Sequence, residues 1–206
     1  MFFSEMTFQE ERNLSINHGP GWFKNQLCMI IPDSKYVYAY ESPYTYVVSE
    51  NIPIFKSKTW FIKTKPYQPA IAKGRYFSFQ ICLNPTDKKK NRKGREYVVT
   101  QYVNRLREQG IPKEQMPPRV MVYQAIKQWF ESKKNLHGFE VIEMQTGQYN
   151  NISFYHKKNN DDIKYTTVSV TGTLIVTDAE QFLNSIFRGI GSQRRYGCGL
   201  LLITPL

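Results

Sequence analysis

The feature that most constrains how this chain can fold is a charged segment near its middle. Asp87 to Arg95 contains six basic side chains, one acidic side chain and no apolar side chain. A segment of this composition cannot pack in a hydrophobic core. It therefore predicts a linker or loop between two domains, residues 1–90 and 96–206, which a chain of 206 residues is long enough to form.

Hydrophobic periodicity predicts both helices and strands on each side of this segment. Before it, we expect strands at residues 2–9, 35–41, 44–49, 60–65 and 75–83 and a helix at 21–31. After it, we expect strands at 139–145, 152–156, 164–176 and 200–204 and helices at 119–133 and 178–187, with weak helical character at 100–109. Short polar turns between neighbouring strands indicate antiparallel hairpins. The predicted class is α+β, built from two units rather than from one parallel sheet.

The chain is strongly basic. Its 28 lysines and arginines exceed its 17 acidic residues, so the formal net charge is +11. This charge favours a polyanionic partner, either nucleic acid or an anionic membrane, over an unspecialised basic domain. No apolar run approaches the ~20 residues that span a bilayer, so we expect no membrane partner. The acidic residues near the N-terminus do not fit a signal peptide, which predicts a cytoplasmic protein.

Cysteine usage and acid placement argue against a metal site. The three cysteines, Cys28, Cys82 and Cys198, are far apart and odd in number. Without a Cys-x-x-Cys pair or paired Cys and His, neither structural zinc nor a disulfide is expected. The few acidic residues do not form a carboxylate cluster, which disfavours a Mg²⁺-dependent nuclease. We therefore expect no metal and no cofactor.

The C-terminal segment combines glycines with arginines. Its four glycines lack side chains, so neighbouring backbone N–H groups can approach phosphate oxygens closely. The adjacent arginines add positive charge and forked donors. The residues concerned are Gly189, Gly191, Arg194, Arg195, Gly197 and Gly199. The pattern fits a phosphate-binding loop or, alternatively, a plain turn that joins a helix to a strand.

Three motifs give this chain a family resemblance. The run Gly189-Ile-Gly-Ser-Gln-Arg-Arg-Tyr-Gly-Cys-Gly-Leu-Leu-Leu-Ile-Thr-Pro-Leu206 resembles the C-terminal loop of the CasE family of CRISPR repeat endoribonucleases. Ile62-Lys-Thr-Lys65, followed by a strand that ends in Asn84-Pro85, is similar to a second family motif. Gly172-Thr-Leu-Ile-Val-Thr-Asp178 is similar to a third. The opening strand, Met1 to Met6, matches more weakly.

The resemblance implies a fold and an activity. The fold is tandem ferredoxin-like (RRM-like) domains with antiparallel sheets. The activity is metal-independent cleavage of pre-crRNA at the base of the repeat hairpin, by attack of a ribose 2′-hydroxyl on the adjacent phosphate. The implied partners are the crRNA repeat hairpin, on whose 3′ side the protein stays bound, and the backbone subunits of a type I-E Cascade complex.

Two other functions remain open at this point. The first alternative is a catalytically silent subunit that binds the same hairpin within the same kind of complex. The second is an RRM-type protein that handles cellular RNA, which is disfavoured because the chain has no RNP signature.

The resemblance also indicates RNA-binding lysines. Lys63 and Lys65 match basic positions of the family, although lysines on a strand edge are also common for solubility alone. Lys157 and Lys158 lie at a predicted hairpin tip, and a basic hairpin of the family enters the major groove of the RNA stem. That groove is deep and narrow in A-form RNA, so such contacts read mostly shape and phosphates. Lys88 to Arg95 is either a solvated loop or a further RNA-facing loop.

Three tyrosines alternate along one predicted strand. Tyr36, Tyr38 and Tyr40 fit a stacking platform for bases. A half-buried or core face of a sheet is the interpretation we prefer.

The catalytic position is where the sequence departs from the family. Relatives carry a histidine on the first helix, with a tyrosine three residues earlier. Alignment backward from Pro32 puts Lys24 at the histidine position and Gly21 at the tyrosine position. The nearest histidine is His18, just before the helix. Neither His137 nor His156 has a family match, and both are interpreted as ordinary surface histidines.

Three interpretations follow for catalysis. His18 exchanges a proton from the loop, which suits a histidine near neutral pH. Alternatively, Lys24 stabilises charge on the phosphorane, since a lysine with an ordinary pKa near ~10.4 is a poor base. In the third interpretation, the subunit binds RNA without cutting it.

Overall fold

The structure is a computed structural model that describes residues 1–8, 19–32, 34–41, 43–54, 60–88, 94–112, 117–156 and 161–206. Two four-stranded antiparallel sheets and four α-helices account for most of the described residues. The predicted α+β class with tandem ferredoxin-like domains is confirmed. Among the described helices, none combines the length and the apolar character needed to cross a bilayer.

The first sheet is built around the first helix. Its elements are β1 (Phe2–Phe8), α1 (Pro20–Ile30), β2 (Tyr36–Glu41), β3 (Tyr44–Ser49) and β4 (Trp60–Pro66), in the strand order β2-β3-β1-β4. Pro20 occupies the first turn of α1, where its missing N–H leaves no bond unmade. Phe23, Leu27 and Ile30 recur at helical spacing and are buried. They pack on one face of the sheet, against Met6, Tyr38, Val47 and Trp60.

The second sheet contains the remaining long strands. Its unit comprises β5 (Tyr76–Leu83), β6 (Thr86–Lys88), β7 (Arg95–Tyr97), α2 (Val98–Glu108), α3 (Pro118–His137), β8 (Phe139–His156), β9 (Asp161–Val176), α4 (Ala179–Arg188) and β10 (Leu202–Pro205). The strand order is β10-β5-β9-β8, and β6 and β7 form a separate two-stranded ribbon. Helices α3 and α4 bury apolar side chains in the same core as this sheet.

The sheets divide the strands at a different place from the charged segment. The first sheet ends with β4, and β5 pairs with β9 and β10 in the second sheet. The four alternate residues Phe77, Phe79, Ile81 and Leu83 are buried in the second core. The charged segment instead falls within the second unit, because Asp87 and Lys88 belong to β6 and Arg95 belongs to β7. Its charge indicates that it does not pack in a core, but does not reveal which sheet the preceding strand joins.

The hairpin β8–β9 is longer than the sequence suggests. The expectation of two strands at 139–145 and 152–156 is wrong, because β8 runs without a break from Phe139 to His156. Register shifts between Val141 and Glu143 and between Thr146 and Tyr149 absorb the irregularity. Bulges of this kind keep a strand paired through residues that otherwise signal a turn. As a result, the hairpin extends far enough to contact α1 of the first unit.

The two units share a small apolar cluster. Val37, Ala39 and Val48 lie on the helix-free face of the first sheet and pack with the buried Leu200. Phe187 of α4 joins them at the edge of the cluster. This contact brings the C-terminal segment alongside the first unit, where the site described below is formed.

Candidate functional site

The glycine segment, residues 189–199, connects α4 to β10 through a backbone that favours glycine. All four glycines have positive φ angles, between +73° at Gly189 and +87° at Gly199. Gln193 is the one described residue other than glycine with a positive φ, at 56°. A Cβ at position 199 would strike the carbonyl oxygen of Ile190, and one at 189 would lie 2.8 Å from Val37 Cγ2. The segment therefore combines left-handed backbone with close approach to its neighbours.

Hydrogen bonds from β5 and the residues after it hold the glycine segment in place. The Gly199 N–H donates to the carbonyl oxygen of Cys82 at 2.7 Å. Asn84, which is 2% exposed, donates through Nδ2 to the Thr166 carbonyl at 2.6 Å, and the Ser192 hydroxyl donates to the Asn84 side chain. Ser192 also lies 2.8 Å from the Thr86 hydroxyl. Asn84 of the Asn84-Pro85 motif thus links β9 to the glycine segment through hydrogen bonds, which the sequence alone does not reveal.

The hydroxyl groups of two buried tyrosines contact the backbone of the 3-10 turn Arg194–Tyr196. The Tyr38 hydroxyl lies 3.4 Å from the Arg195 carbonyl and 3.3 Å from the Pro20 carbonyl at the start of α1. The Tyr165 hydroxyl donates to the Tyr196 carbonyl at 3.2 Å. Burial raises the pKa of both phenols far above the ordinary value, so both remain protonated donors.

The tyrosine stripe on β2 is mainly structural. Tyr38 is buried among the residues of the first core, as preferred from the sequence. Tyr40 is 47% exposed, but the centroid of its ring lies 4.4 Å from the centroid of the Phe23 ring.

A basic groove of about 870 Å³ separates α1 from the glycine segment. Its basic side chains are Lys24, Lys35, Arg188, Arg194 and Arg195. Glu50 is the acidic residue among the described lining, and it pairs with Lys35 at 3.5 Å. The structure therefore brings Lys24 and both arginines of the glycine segment to one cavity. Such a concentration of positive charge suits a phosphodiester.

The two arginines differ in how they are held. Arg194 donates through Nη1 to the Arg188 carbonyl at 2.7 Å, which satisfies a carbonyl at the end of α4. Arg195 is exposed, and the Tyr38 hydroxyl lies near its backbone carbonyl. Arg194 is thus tied to the helix end, whereas Arg195 presents its guanidinium to the groove.

Gly21 and Lys24 lie one helical turn apart on α1. A Cβ at Gly21 would meet the Phe154 ring of β8 at 3.0 and 3.1 Å, so Phe154 fills the space beside this position. The Lys24 Nζ atom lies 5.5 Å from the centroid of the Tyr196 ring. Sequence reasoning missed both aromatic residues, because neither lies near α1 in the sequence and no motif marks their contact with it.

The other candidate residues lie elsewhere. Lys63 and Lys65 are on β4, at the edge of the first sheet, and neither lines the basic groove. Lys65 Nζ lies 5.7 Å from the Phe3 ring and lines a separate cavity of about 440 Å³ between the sheets. His18, Lys157 and Lys158 fall outside the described residues.

The described residues contain no cluster of three or more His, Cys, Asp or Glu arranged to hold a metal ion. All three cysteines are free thiols.

Comparisons with solved structures identify the fold. CRISPR endoribonuclease Cse3 bound to a 19-nucleotide RNA has a TM-score of 0.75 and 18% identity, with 100% of each chain covered. Cse3 of Thermus thermophilus, bound to an RNA that represents a pre-cleavage complex, gives 0.72 and 17%, covering 99% of this chain and 98% of that one. Cas6e of Escherichia coli K-12 gives 0.65 and 17%, with 100% of both chains covered.

Sequence comparison gives the family. No curated protein sequence matches the chain. Residues 33–205 match the model of a family described as CRISPR associated protein. The resemblance drawn from the glycine segment and the two internal motifs is confirmed at the level of family and fold. Because the match spans well over half of its length, the chain belongs to this family of CRISPR-associated proteins.

Proposed function

We propose that the protein is a CRISPR RNA-processing endoribonuclease that cleaves pre-crRNA at the base of the repeat hairpin. The observation that carries this proposal is the basic groove, which is lined by Lys24 of α1 together with Arg194 and Arg195 of the glycine segment. Two of the similar structures are a CRISPR endoribonuclease with bound RNA, which supports the same class of substrate here.

The proposed reaction needs no metal. A ribose 2′-oxygen loses its proton and attacks the adjacent phosphorus, while the bond to the 5′-oxygen of the next nucleotide breaks. The leaving oxygen takes up a proton, so the products are a 2′,3′-cyclic phosphate and a 5′-hydroxyl. Negative charge builds on the non-bridging phosphate oxygens, and the Lys24 ammonium and the arginine guanidinium groups would stabilise it.

Proton transfer is assigned to His18. Histidine side chains in general exchange a proton near neutral pH, which suits a general acid or base, and His18 is the histidine nearest to the start of α1 in the sequence. In this proposal Lys24 acts by its charge, because an ammonium is a poor base at neutral pH.

Binding extends beyond the groove. Backbone N–H groups of the glycine segment and the side chains of Lys157 and Lys158 would hold the phosphates of the stem, with Lys63 and Lys65 adding affinity at the edge of the first sheet. The protein would then remain on the 3′ hairpin of its product and assemble with the backbone subunits of a Cascade-type complex. Similarity to chains of CRISPR RNA-guided surveillance complexes, with TM-scores of 0.67, supports that placement.

A second candidate is a silent subunit that binds the hairpin without cutting it. The observation in its favour is at Gly21, where Phe154 takes up the space that a larger side chain would need. The family resemblance implies a tyrosine at this position, and without it the site has one fewer polar group to offer the reacting phosphate.

Single-turnover cleavage of the matched repeat RNA in EDTA distinguishes the two candidates. We expect the wild-type protein to leave a 2′,3′-cyclic phosphate and a 5′-hydroxyl. Both His18→Ala and Lys24→Ala should lower the rate by roughly 10²-fold with little change in RNA affinity. Lys127→Ala, which removes an exposed helical lysine outside the groove, is the matched control and should cut normally.

The outcome assigns the roles. A rate lowered only by Lys24→Ala supports the electrostatic interpretation without His18. Tight binding of an uncut hairpin by the wild-type protein would contradict the enzyme and favour the silent subunit.

A further inference from the structure

Tyr196 is fixed by a stack of rings close to where β8 ends and β9 begins. Its ring lies 6.2 Å from that of Tyr165, with an interplanar angle of 27°. The Phe154 ring meets it edge-on at 5.1 Å and 61°. The hydrogen bond from the Tyr165 hydroxyl to the Tyr196 carbonyl fixes the backbone as well. Strands β8 and β9 therefore determine both the position and the tilt of this ring.

The face of that ring meets a charge from the first unit. Lys24 Nζ lies 5.5 Å from the ring centroid, within the range of a cation–π contact. Lys24 and Tyr196 are both partly buried, so the contact is only partly screened by water. A lysine side chain has many rotamers, and the other basic groups of the groove repel its ammonium. The attraction of the Tyr196 ring face opposes this repulsion and favours one position of the Lys24 ammonium.

The two departures from the family pattern meet at this stack. Phe154 contacts both the open side of Gly21 and the ring of Tyr196. A side chain at position 21 would push against Phe154 and hence against the support of Tyr196. The glycine at 21 and the lysine at 24 are thus linked through two aromatic rings.

We propose that Tyr196 is a positioning residue that holds the Lys24 ammonium in the basic groove through the face of its ring. This inference rests on the proposed function, in which Lys24 stabilises the reacting phosphate. It assigns the ring, and not the phenolic hydroxyl, as the part of Tyr196 that matters.

A double-mutant cycle tests the proposal on the cleavage rate. Tyr196→Phe keeps the ring face and should cut at the wild-type rate, whereas Tyr196→Leu should cut about 5-fold more slowly. In the Lys24→Ala background, Tyr196→Leu should have no further effect, because the charge it positions is gone. Tyr76→Leu, at an exposed tyrosine of β5, is the matched control and should leave the rate unchanged.

Either of two results would overturn the proposal. An equal slowing by Tyr196→Leu with and without Lys24 would mean that Tyr196 acts only through the fold. A loss with Tyr196→Phe as large as that with Tyr196→Leu would move the effect to the hydroxyl.

A spectroscopic measurement keeps this test separate from the proposed function. In protein labelled with ¹³Cε-lysine, the ring current of Tyr196 should shift the Lys24 ε-CH₂ signal upfield. The signal is assigned by its disappearance in Lys24→Arg. The shift should persist in Tyr196→Phe and vanish in Tyr196→Leu, whether or not the protein cuts RNA. A Lys24 signal at the ordinary lysine position in the wild-type protein would refute the positioning role, while absent cleavage with a shifted signal would refute only the proposed enzyme.

Discussion

The Tyr38 hydroxyl, buried beneath the first sheet's helix, lies 3.4 Å from the carbonyl oxygen of Arg195. Residues far apart in the sequence are thereby joined, since β2 carries the phenol and the glycine segment carries the carbonyl. The same hydroxyl lies 3.3 Å from the Pro20 carbonyl, so it also lies against the start of α1. One buried group thus links the two sides of the basic groove.

Removal of this hydroxyl should loosen the groove. Tyr38→Phe keeps the ring in the core but removes the one hydroxyl proton that the Pro20 and Arg195 carbonyls share, which we expect to cost about 1 kcal/mol of unfolding free energy. Urea denaturation measures that cost. Tyr40→Phe, on the same face of β2 at a 47% exposed position, is the control and should change stability by much less. Equal stability of Tyr38→Phe and wild type would show that the hydroxyl does not support the segment.

The glycine at position 199 should be irreplaceable for two separate reasons. Its φ of +87° is strained for any side chain, and a Cβ would strike the Ile190 carbonyl. Gly74 has a similar φ of +84° but open space around it, so Gly74→Ala carries the strain alone. We expect about 1 kcal/mol of destabilisation for Gly74→Ala and at least about 3 kcal/mol for Gly199→Ala. Thermal unfolding of the pair checks this order, which a similar cost for both would contradict.

Several elements of the fold could be predicted because their signals are local. Pro20 and the helical spacing of the apolar residues Phe23 and Leu27 indicate α1 from only one or two turns of sequence. Asp178 accepts a hydrogen bond from the Gln181 N–H and so caps α4, as its side chain and position suggest. The positive φ angles of the glycine segment follow equally from its composition.

The parts that could not be predicted depend on long-range contacts. The membership of β5 in the second sheet depends on pairing with β9 and β10, which no local pattern encodes. The contact of Phe154 with Gly21 depends on the full length of the β8–β9 hairpin, and bulges that keep β8 continuous look like turns in the sequence. The basic groove is lined by residues from both units. The sequence could indicate each of these residues separately, but it could not predict that they line the same cavity.

His137 shows the same limit and leads to a pH prediction. The interpretation of it as an ordinary surface histidine is wrong, because the ring lies between Trp129 and Phe139 and its Nδ1 lies 3.1 Å from the Ser185 hydroxyl. Burial, followed by the charge of Lys133, lowers the pKa of His137 to about 4. In the unfolded chain the pKa returns to about 6.5, so the unfolded state binds the proton more readily.

Stability should therefore fall with decreasing pH between about 6.5 and 4, and this contribution should be fully present above that window. The whole pKa difference corresponds to about 3 kcal/mol, which partial exposure of the ring reduces to about 2 kcal/mol. His137→Gln removes the titration and should flatten the unfolding free energy across the window relative to wild type. Parallel pH profiles for the two proteins, measured by urea denaturation, would contradict the assignment.

The exposed guanidinium of Arg195 should bind RNA chiefly through its charge. It lines the basic groove, its side chain is exposed, and the Tyr38 hydroxyl lies near its backbone carbonyl. Loss of one phosphate contact lowers the slope of log K against log salt by about 1 or slightly less. Arg195→Ala should therefore weaken binding of the repeat hairpin at low salt and bind nearly as well as wild type at high salt.

Arg119→Ala, which removes an exposed arginine from the first turn of α3, is the matched control and should keep the wild-type slope. Fluorescence anisotropy at several salt concentrations measures both slopes, with unstructured RNA of the same length as a second ligand. An unchanged slope for Arg195→Ala would remove this residue from the interface, and equal affinity of the wild-type protein for hairpin and unstructured RNA would mean that it does not read the shape of the stem.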